Sequence, residues 1–408
     1  MKKILIFLFI MFTYLCFSQT AEEYNVKGQY KVKLGDYEEA IKNFDKAIEI
    51  KSNEPIFFVN RGTTKARIND HSGAIKDLDK AIELDTSSFS VYYYYHRAYS
   101  KARLQDYKGA IKDLDKAIEL NSKNEFNSFE KVINLINLGD IIRSTEETKK
   151  NLFLHDLLSL IYFNRGNSKY MLGDFIGAKQ DYCKATELNP KYAEAYDRLG
   201  DTKAMLGDFN GAILDYNKAI ELKPNFSEAY LYRGFSKHEI VNYSDAVEDL
   251  NKAIELNPYS SKAYLFRGIA KKELGNYSAM LDYNNAIKLD SNYVDAYFNR
   301  GVLKKDLGDF RGAIQDYTKA IELNSKDTSV YIFFNNRAYA KLQIGDFHGA
   351  IEDCNRALDL KPNYYRAYYA RGAAKIELGD KDSGCKDLMK SYELGFDKAL
   401  EYINKFCR

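Results

Sequence analysis

Apolar residues in this chain recur at helical spacing in pairs of short segments. Between Ala193 and Phe226 the first segment places apolar or small residues three or four apart and then stops at Leu206–Phe209. A second apolar period follows, and Pro224 ends it. This pattern predicts two short amphipathic helices joined by a tight turn.

The same pattern repeats along almost the whole chain. A glycine or a substitute for it recurs at spacings of 33 to 37 residues, most often 34. The positions are Gly28, Gly62, Ala98, Val132, Gly166, Gly200, Gly234, Gly268, Gly301, Ala338 and Gly372. Such a period predicts one helix pair stacked about eleven times, in an all-α chain without a globular catalytic core.

The repeated residues resemble the tetratricopeptide repeat. With the helix pair numbered from 1 to 34, the block from Ala193 has the aromatic, glycine, Leu-Gly, alanine and proline positions of that family. They are Tyr196, Gly200, Leu206, Gly207, Phe209, Ala212, Tyr216, Ala219 and Pro224. The resemblance covers nearly all of residues 21–394 and implies a right-handed α-solenoid.

Four segments follow from the repeat register. Residues 21–124 form repeats 1–3, and residues 159–394 form repeats 5–11. Residues 125–158 lack most signature residues but keep Leu138 and Gly139 in register, so they are interpreted as a degenerate fourth repeat. Residues 395–408 predict an amphipathic helix that caps the apolar face of the last repeat.

Two charged columns accompany the apolar ones. Position 7 is arginine and position 23 is aspartate in the same eight repeats. The arginines are Arg61, Arg97, Arg165, Arg233, Arg267, Arg300, Arg337 and Arg371, and the aspartates are Asp77, Asp113, Asp181, Asp249, Asp282, Asp316, Asp353 and Asp387. We interpret the columns as ion pairs that join helices; the alternative is an anion-binding groove built from the arginines.

The charge balance argues against a nucleic-acid partner. The chain has 60 basic and 58 acidic residues, and Lys2 and Lys3 account for the difference. Nucleic-acid grooves normally show a basic surplus or stripe.

The first 18 residues are typical of an export signal. Lys2 and Lys3 precede an apolar run from Ile4 to Phe17, which is shorter than the roughly 20 residues of a membrane-spanning helix. Cleavage after Ser18 would leave a periplasmic or secreted protein. The alternatives are an uncleaved leader that anchors the chain in a membrane and a lipoprotein acylated at Cys16.

Export places the remaining cysteines in an oxidising compartment. Cys385 and Cys407 are each eleven residues from Phe396, so a helical hairpin about this turn would bring them together. We predict a disulfide between them; the alternative is two unpaired thiols. Cys183 and Cys354 lie five repeats apart and are interpreted as buried small residues.

The sequence offers little catalytic chemistry. Its five histidines are His71, His96, His155, His238 and His348, which share no metal-ligand spacing. Recurrent acidic residues occur in every repeat and do not single out an acid and a base. We therefore predict no enzyme, no cofactor and no metal; an enzyme hidden in the degenerate repeat is a remote alternative.

Function is expected on the inner face of the repeats. The family resemblance implies that positions 2, 5, 9 and 12 of each first helix line this groove. The candidate groove residues are Tyr92, Tyr95, Tyr99, Phe163, Asn167, Tyr170, Phe298, Asn335 and Tyr339. Any of these rings could instead fill the core between repeats.

Tyrosines in such a groove favour a protein or an extended peptide as partner. We expect an adaptor in an envelope or secreted assembly. A glycan-binding protein is the alternative, because aromatic rings also stack on sugars. The clamp that some members of the family use for acidic C-terminal tails needs lysine at position 5, which no repeat has.

Overall fold

The computed structural model describes residues 19–85, 90–122, 147–324 and 327–407. These ranges contain twenty-one α-helices, one short 3-10 helix at Thr328–Val330 and no strand. The predicted signal at residues 1–18 lies outside them. The chain divides into two compact units, Met1–Leu222 and Lys223–Arg408.

The first unit contains ten helices in its described part. They are α1 (Ala21–Lys33), α2 (Tyr37–Ile50), α3 (Pro55–Arg67), α4 (His71–Leu84), α5 (Ser90–Arg103), α6 (Tyr107–Ser122), α7 (Glu147–Met171), α8 (Phe175–Leu188), α9 (Ala193–Met205) and α10 (Phe209–Leu222). Odd-numbered helices are the first helices of the repeats, and even-numbered helices are the second.

The second unit contains eleven described helices. They are α11 (Ser227–Glu239), α12 (Tyr243–Leu256), α13 (Ser261–Glu273), α14 (Ala279–Leu289), α15 (Val294–Asp306), α16 (Phe310–Leu323), α17 (Tyr331–Gln343), α18 (Phe347–Leu360), α19 (Tyr365–Glu377), α20 (Lys381–Glu393) and α21 (Ala399–Phe406). Within each unit the helix pairs stack side by side, which is the α-solenoid arrangement predicted from the period.

The turn inside each repeat is determined locally. At the turn before α16, Gly308 has a φ of 82°, a conformation that glycine adopts without strain. Asp309 then caps the helix by accepting a hydrogen bond from the backbone N–H of Gly312. A Cβ at Gly312 would lie 2.1 Å from the Asp309 carboxylate, so the cap itself requires glycine there.

The two helices of a repeat approach closely at position 8. A Cβ at Gly200 would lie 2.7 Å from the ring of Tyr216, which is only 1% exposed. The same clash arises at Gly268, where Tyr283 fills the space. The glycine period of the sequence is therefore a packing requirement, because a Cβ at these positions would meet a side chain or backbone atom of the second helix, which is an aromatic ring at Gly200 and Gly268 and Leu250 at Gly234.

Repeat 3 contacts repeat 5 directly, which differs from the expected order. Helix α6 packs against α7, and Leu157 and Ile161 of α7 join the apolar cluster of Val91 and Leu114. Arg165 donates to Asp115, fifty residues earlier, at 2.6 Å.

The expected fourth repeat, residues 125–158, falls mostly outside the described residues and stays a prediction. Helix α7 also runs without a break across the boundary placed between residues 158 and 159. Ten helix pairs and the terminal helix remain in the described ranges.

A double-mutant cycle tests this contact. We expect Asp115→Ala and Arg165→Ala to show a coupling energy of about 0.5–1 kcal/mol, because the pair is partly exposed to solvent. The equivalent pair, Asp79 and Arg97 at 2.7 Å, is the control and should couple equally. Coupling near zero for Asp115 with Arg165 alone would contradict direct packing of repeat 3 on repeat 5.

The terminal helix α21 covers the last repeat. It contacts α19 and α20, and the Tyr369 ring packs edge-on against Phe396 and Tyr402 at 5.1 and 5.5 Å. The structure places Cys385 of α20 and Cys407 after α21 in a disulfide, with Cα atoms 5.6 Å apart. This bond ties the end of α21 to the second helix of the last repeat.

Candidate functional site

The charged columns form ion pairs inside the eight repeats that carry them. Arg300 donates from Nε and Nη2 to both carboxylate oxygens of Asp316 at 2.9 and 2.6 Å. Lys304, one helical turn after the arginine, adds an ion pair to the same carboxylate at 2.8 Å. Asp316 is 3% exposed, so these two cations balance a buried charge. The arginines are compensated, which favours the structural interpretation over an anion-binding groove.

A third contact joins neighbouring repeats and was missed in the sequence. The remaining Nη1 of Arg300 donates to Asn284 of the preceding repeat at 2.7 Å, and Arg97 makes the same contact with Asp79. Both acceptors stand at position 25. The available signal was the polar residue at this position, together with the lysine four residues after each arginine.

Repeat 6 lacks this arrangement. Position 7 is Leu199, and position 25 of the preceding repeat is Cys183, which packs on the same apolar cluster. Asp215 therefore keeps only Lys203, at 2.6 Å. Burial raises the pKa of Asp215 despite that lysine. Burial also raises the pKa of the Cys183 thiol, as expected of an unreactive packed residue.

Three of the predicted groove residues line one pocket in the first unit. Tyr92, Tyr95 and Tyr99 face a cavity of about 320 Å³ on the side formed by α1, α3 and α5. Tyr99 is 42% exposed, whereas Tyr92 and Tyr95 are half-buried. The other lining residues are Gln29, Val32, Lys33, Phe44, Asn60, Thr63, Thr64, Ala66, Arg67 and His96.

His96 stays neutral inside this pocket. Its ring packs edge-on against Tyr92 at 4.1 Å and Tyr95 at 5.1 Å. Burial, and then the positive charge of Arg67, lowers the pKa of His96 to about 3. Burial also raises the pKa of Tyr95 to about 12, so both rings are uncharged at neutral pH.

Acidification should therefore destabilise the first unit. The pKa of His96 is about 3 when folded and about 6.5 when unfolded. Between these values only the unfolded chain binds the proton, so stability is lost as pH falls below about 6.5. With a fully buried histidine, the free energy of unfolding would fall by about 2 kcal/mol between pH 7 and pH 5. We expect a fall of about 1 kcal/mol, because His96 is only half-buried.

Urea unfolding at the two pH values, compared with His96→Phe, measures this term. The variant keeps an aromatic ring but cannot titrate. Its loss of unfolding free energy between pH 7 and pH 5 should therefore be smaller than that of the unmodified chain by about 1 kcal/mol. Identical losses in both proteins would contradict the assignment.

The candidates of repeat 5 make contacts between helices. The Phe163 ring lies 4.8 Å from Tyr192 and 5.8 Å from Tyr182. Asn167 accepts a hydrogen bond from the Tyr182 hydroxyl at 2.7 Å. Tyr170 packs edge-on against Phe175 at 5.1 Å. These three residues do not line the tyrosine pocket and are only partly buried, so their binding role stays a prediction.

The candidates of the second unit differ from one another. Phe298 packs on Phe333 at 4.8 Å and on Tyr317 at 5.9 Å, which places it in the core between repeats. Asn335 is 9% exposed and its Oδ1 has no hydrogen-bond partner among the described residues. Tyr339 is 44% exposed. A binding role for Asn335 and Tyr339 stays a prediction.

The described residues contain neither a candidate metal site nor a candidate membrane-spanning helix. No group of three or more histidine, cysteine, aspartate or glutamate side chains could hold a metal ion in the part of the chain described. No helix within those ranges is both long and apolar enough to span a membrane.

The chain is similar to several solved structures. MamA is 29% identical over 40% of this chain and 95% of its own, with a TM-score of 0.37. YrrB, a repeat protein with an unusual peptide-binding site, is 21% identical over 47% of this chain and 97% of its own, with a TM-score of 0.39. A repeat protein from Parabacteroides merdae is 20% identical over 61% of this chain and 96% of its own, with a TM-score of 0.45.

Family models decide the classification. No curated protein matches the chain. Models of the tetratricopeptide repeat match residues 28–69, 91–124, 160–192, 200–240, 294–327, 333–364 and 365–394. These segments make up more than half of the sequence. The chain therefore belongs to the tetratricopeptide repeat family.

Proposed function

We propose that this protein is an exported, non-catalytic scaffold that binds a protein or an extended peptide along the face formed by the first helices of its repeats. The observation that supports this best is the pocket of α1, α3 and α5, where Tyr92, Tyr95 and Tyr99 converge. Tyrosine combines a large rigid contact surface with a polar tip, and such residues dominate the binding energy of many interfaces. We infer an adaptor role in an envelope or secreted assembly.

Two features support export. The first is the leader-like pattern of residues 1–18, with two lysines before an apolar run. The second is the disulfide between Cys385 and Cys407, because such bonds persist mainly in oxidising compartments. Mass spectrometry of the protein in its native cells tests this proposal: it should be recovered outside the cytosol with Gln19 as its first residue.

Exposed tyrosines provide a matched test of binding. Partners captured by the purified chain from an envelope extract are identified by mass spectrometry, and the affinity of the main one is measured by calorimetry. Tyr99→Ala should weaken binding by about 1–3 kcal/mol with little effect on stability. Tyr259→Ala removes a ring that is 83% exposed in the second unit and lies outside the pocket, so it should leave the affinity unchanged.

The same experiment separates a protein partner from a glycan. The proposal is supported if the unmodified chain captures a protein and the Tyr99→Ala variant no longer does. Capture of glycan alone would favour the lectin-like alternative. Equal affinities for the two tyrosine variants would contradict a role of the pocket.

A further inference from the structure

Three cations stand at one position of the first three repeats. Lys33, Arg67 and Arg103 all occupy position 13, near the end of α1, α3 and α5, and all three are exposed. None of them forms an ion pair within the described residues, although most position-7 arginines and position-11 lysines do. Unpaired cations in a common register are available to a ligand.

This position is not basic throughout the chain, so the repeat itself does not require it. In the second unit position 13 is Glu239, Glu273, Asp306 and Glu377 in four of five repeats. Three of these carboxylates already pair with the residue before them, as Glu273 does with Lys272 at 3.4 Å. The basic column is therefore a property of repeats 1–3 alone.

Two of the three position-13 cations line the tyrosine pocket. Lys33 and Arg67 line the pocket together with Tyr92 and Tyr99. Burial lowers the pKa of His71, and the positive charge of the nearby Arg103 lowers it further. The His71 ring in turn lies 6.1 Å from the ring of Tyr99. Two of the three cations therefore line the pocket beside the tyrosine rings of α5, and Arg103 is connected to it through His71.

Among the described residues, the lining of the pocket offers no acidic partner to Lys33 or Arg67. Its thirteen lining residues include no aspartate or glutamate, in a chain that has 58 of them. His96 adds no charge at neutral pH, since its pKa is about 3. The pocket therefore combines aromatic surface, hydroxyl and amide groups, and uncompensated positive charge.

We propose that the pocket of repeats 1–3 binds an extended acidic peptide segment, whose carboxylates pair with Lys33, Arg67 and Arg103 while its backbone and apolar side chains pack on Tyr92, Tyr95 and Tyr99. This inference rests on the proposed function and names the chemistry of its partner. The cations stand at position 13, so the site differs from a clamp based on position 5. Three cations in an otherwise balanced chain suit a short acidic segment better than a polyanion, which is usually met by a wider basic surface.

Fluorescence anisotropy with the full chain tests the proposal. The probe is a labelled twelve-residue peptide with aspartate or glutamate at every second position and tyrosine or leucine between them. A matched peptide carries asparagine and glutamine instead. We expect at least tenfold tighter binding of the acidic peptide, and a loss of that preference at 0.5 M NaCl because salt screens exposed charges.

Two triple variants of equal charge separate the column from general electrostatics. Lys33→Gln, Arg67→Gln and Arg103→Gln together should lower the affinity for the acidic peptide at least tenfold. The control replaces Lys42, Lys76 and Lys112 by Gln; these exposed lysines share position 22 of the same three repeats, on the second helices. The control variant should bind within twofold of the unmodified chain. Equal losses in both variants would overturn the proposal.

Further measurements distinguish a failure of the acidic-peptide proposal from a failure of the proposed function. A single-stranded oligonucleotide with the same number of charges that binds as tightly as the acidic peptide would replace the peptide site by a general polyanion site. If an array of unrelated peptides binds in a way that Tyr99→Ala abolishes, without any preference for acidic ones, the acidic specificity fails while the proposed function stands. If no peptide or protein binds the chain at all, the proposed function fails as well.

Discussion

Asp316→Asn should lower the free energy of unfolding by about 3 kcal/mol. The carboxylate of Asp316 is buried and bound by Arg300 and Lys304. An amide removes the charge and leaves two cations, 18 and 20% exposed, without their counter-ion. Breaking a buried pair on one side typically costs about 3–5 kcal/mol, and the partial exposure of the cations places this case at the lower end.

The equivalent change in repeat 6 is the matched control. Asp215 has Lys203 but no arginine, because Leu199 replaces it, and burial raises the pKa of this carboxyl. Asp215→Asn should therefore change stability by less than about 1 kcal/mol. Urea unfolding, with hydrogen exchange of α16 and α10 as a local readout, measures both variants. Equal destabilisation would show that the arginines contribute little to the ladder.

Removal of the terminal disulfide should release α21. A loop of this size, with its cysteines 22 residues apart, is expected to contribute about 3 kcal/mol by restricting the unfolded chain. Helix α21 has only eight residues, which is too short to persist without its contacts. Cys407→Ala should therefore increase hydrogen exchange at Ala399–Phe406 by roughly 100-fold, while α15 and α16 remain protected.

Reductant provides the control for this variant. Dithiothreitol should increase exchange of α21 in the unmodified chain to the same level, and should change nothing further in Cys407→Ala. If the reductant acts equally on both proteins, its effect does not come from this bond. If α21 stays protected in the variant, the aromatic contacts of Tyr369 with Phe396 and Tyr402 hold the helix without the disulfide.

Much of the fold was predictable because its signals are local. Gly200 and Tyr216, or Asp309 and Gly312, lie within one repeat, so a 34-residue period shows both partners of each contact. The Arg300–Asp316 pair was predictable for the same reason. Its link to Asn284 was missed because position 25 varies in residue type, although the aspartate, asparagine and threonine found at most of these positions can all accept a hydrogen bond.

The site was predictable only in part. Tyr99 and Phe163 belong to equivalent stripes of their first helices, and helical spacing does not show whether a neighbouring repeat covers a ring. Phe163 is covered by Tyr182 and Tyr192, whereas Tyr99 borders an open pocket. The basic column at position 13 was visible in the sequence, but its lack of partners and its place beside the tyrosines were not.

The sequence by itself determined the helix pair, its turn, its cap, its internal ion pairs and the family, because these depend on contacts among residues that recur within 34 positions. Only the tertiary structure decided which repeats touch and which rings stay open to a ligand. Residues 125–158 keep part of the repeat register, yet Arg165 binds Asp115 across fifty residues. Packing between repeats depends on which apolar surfaces meet in space, and Leu157 and Ile161 of α7 complete the apolar surface of repeat 3 in a way that the repeat register does not show.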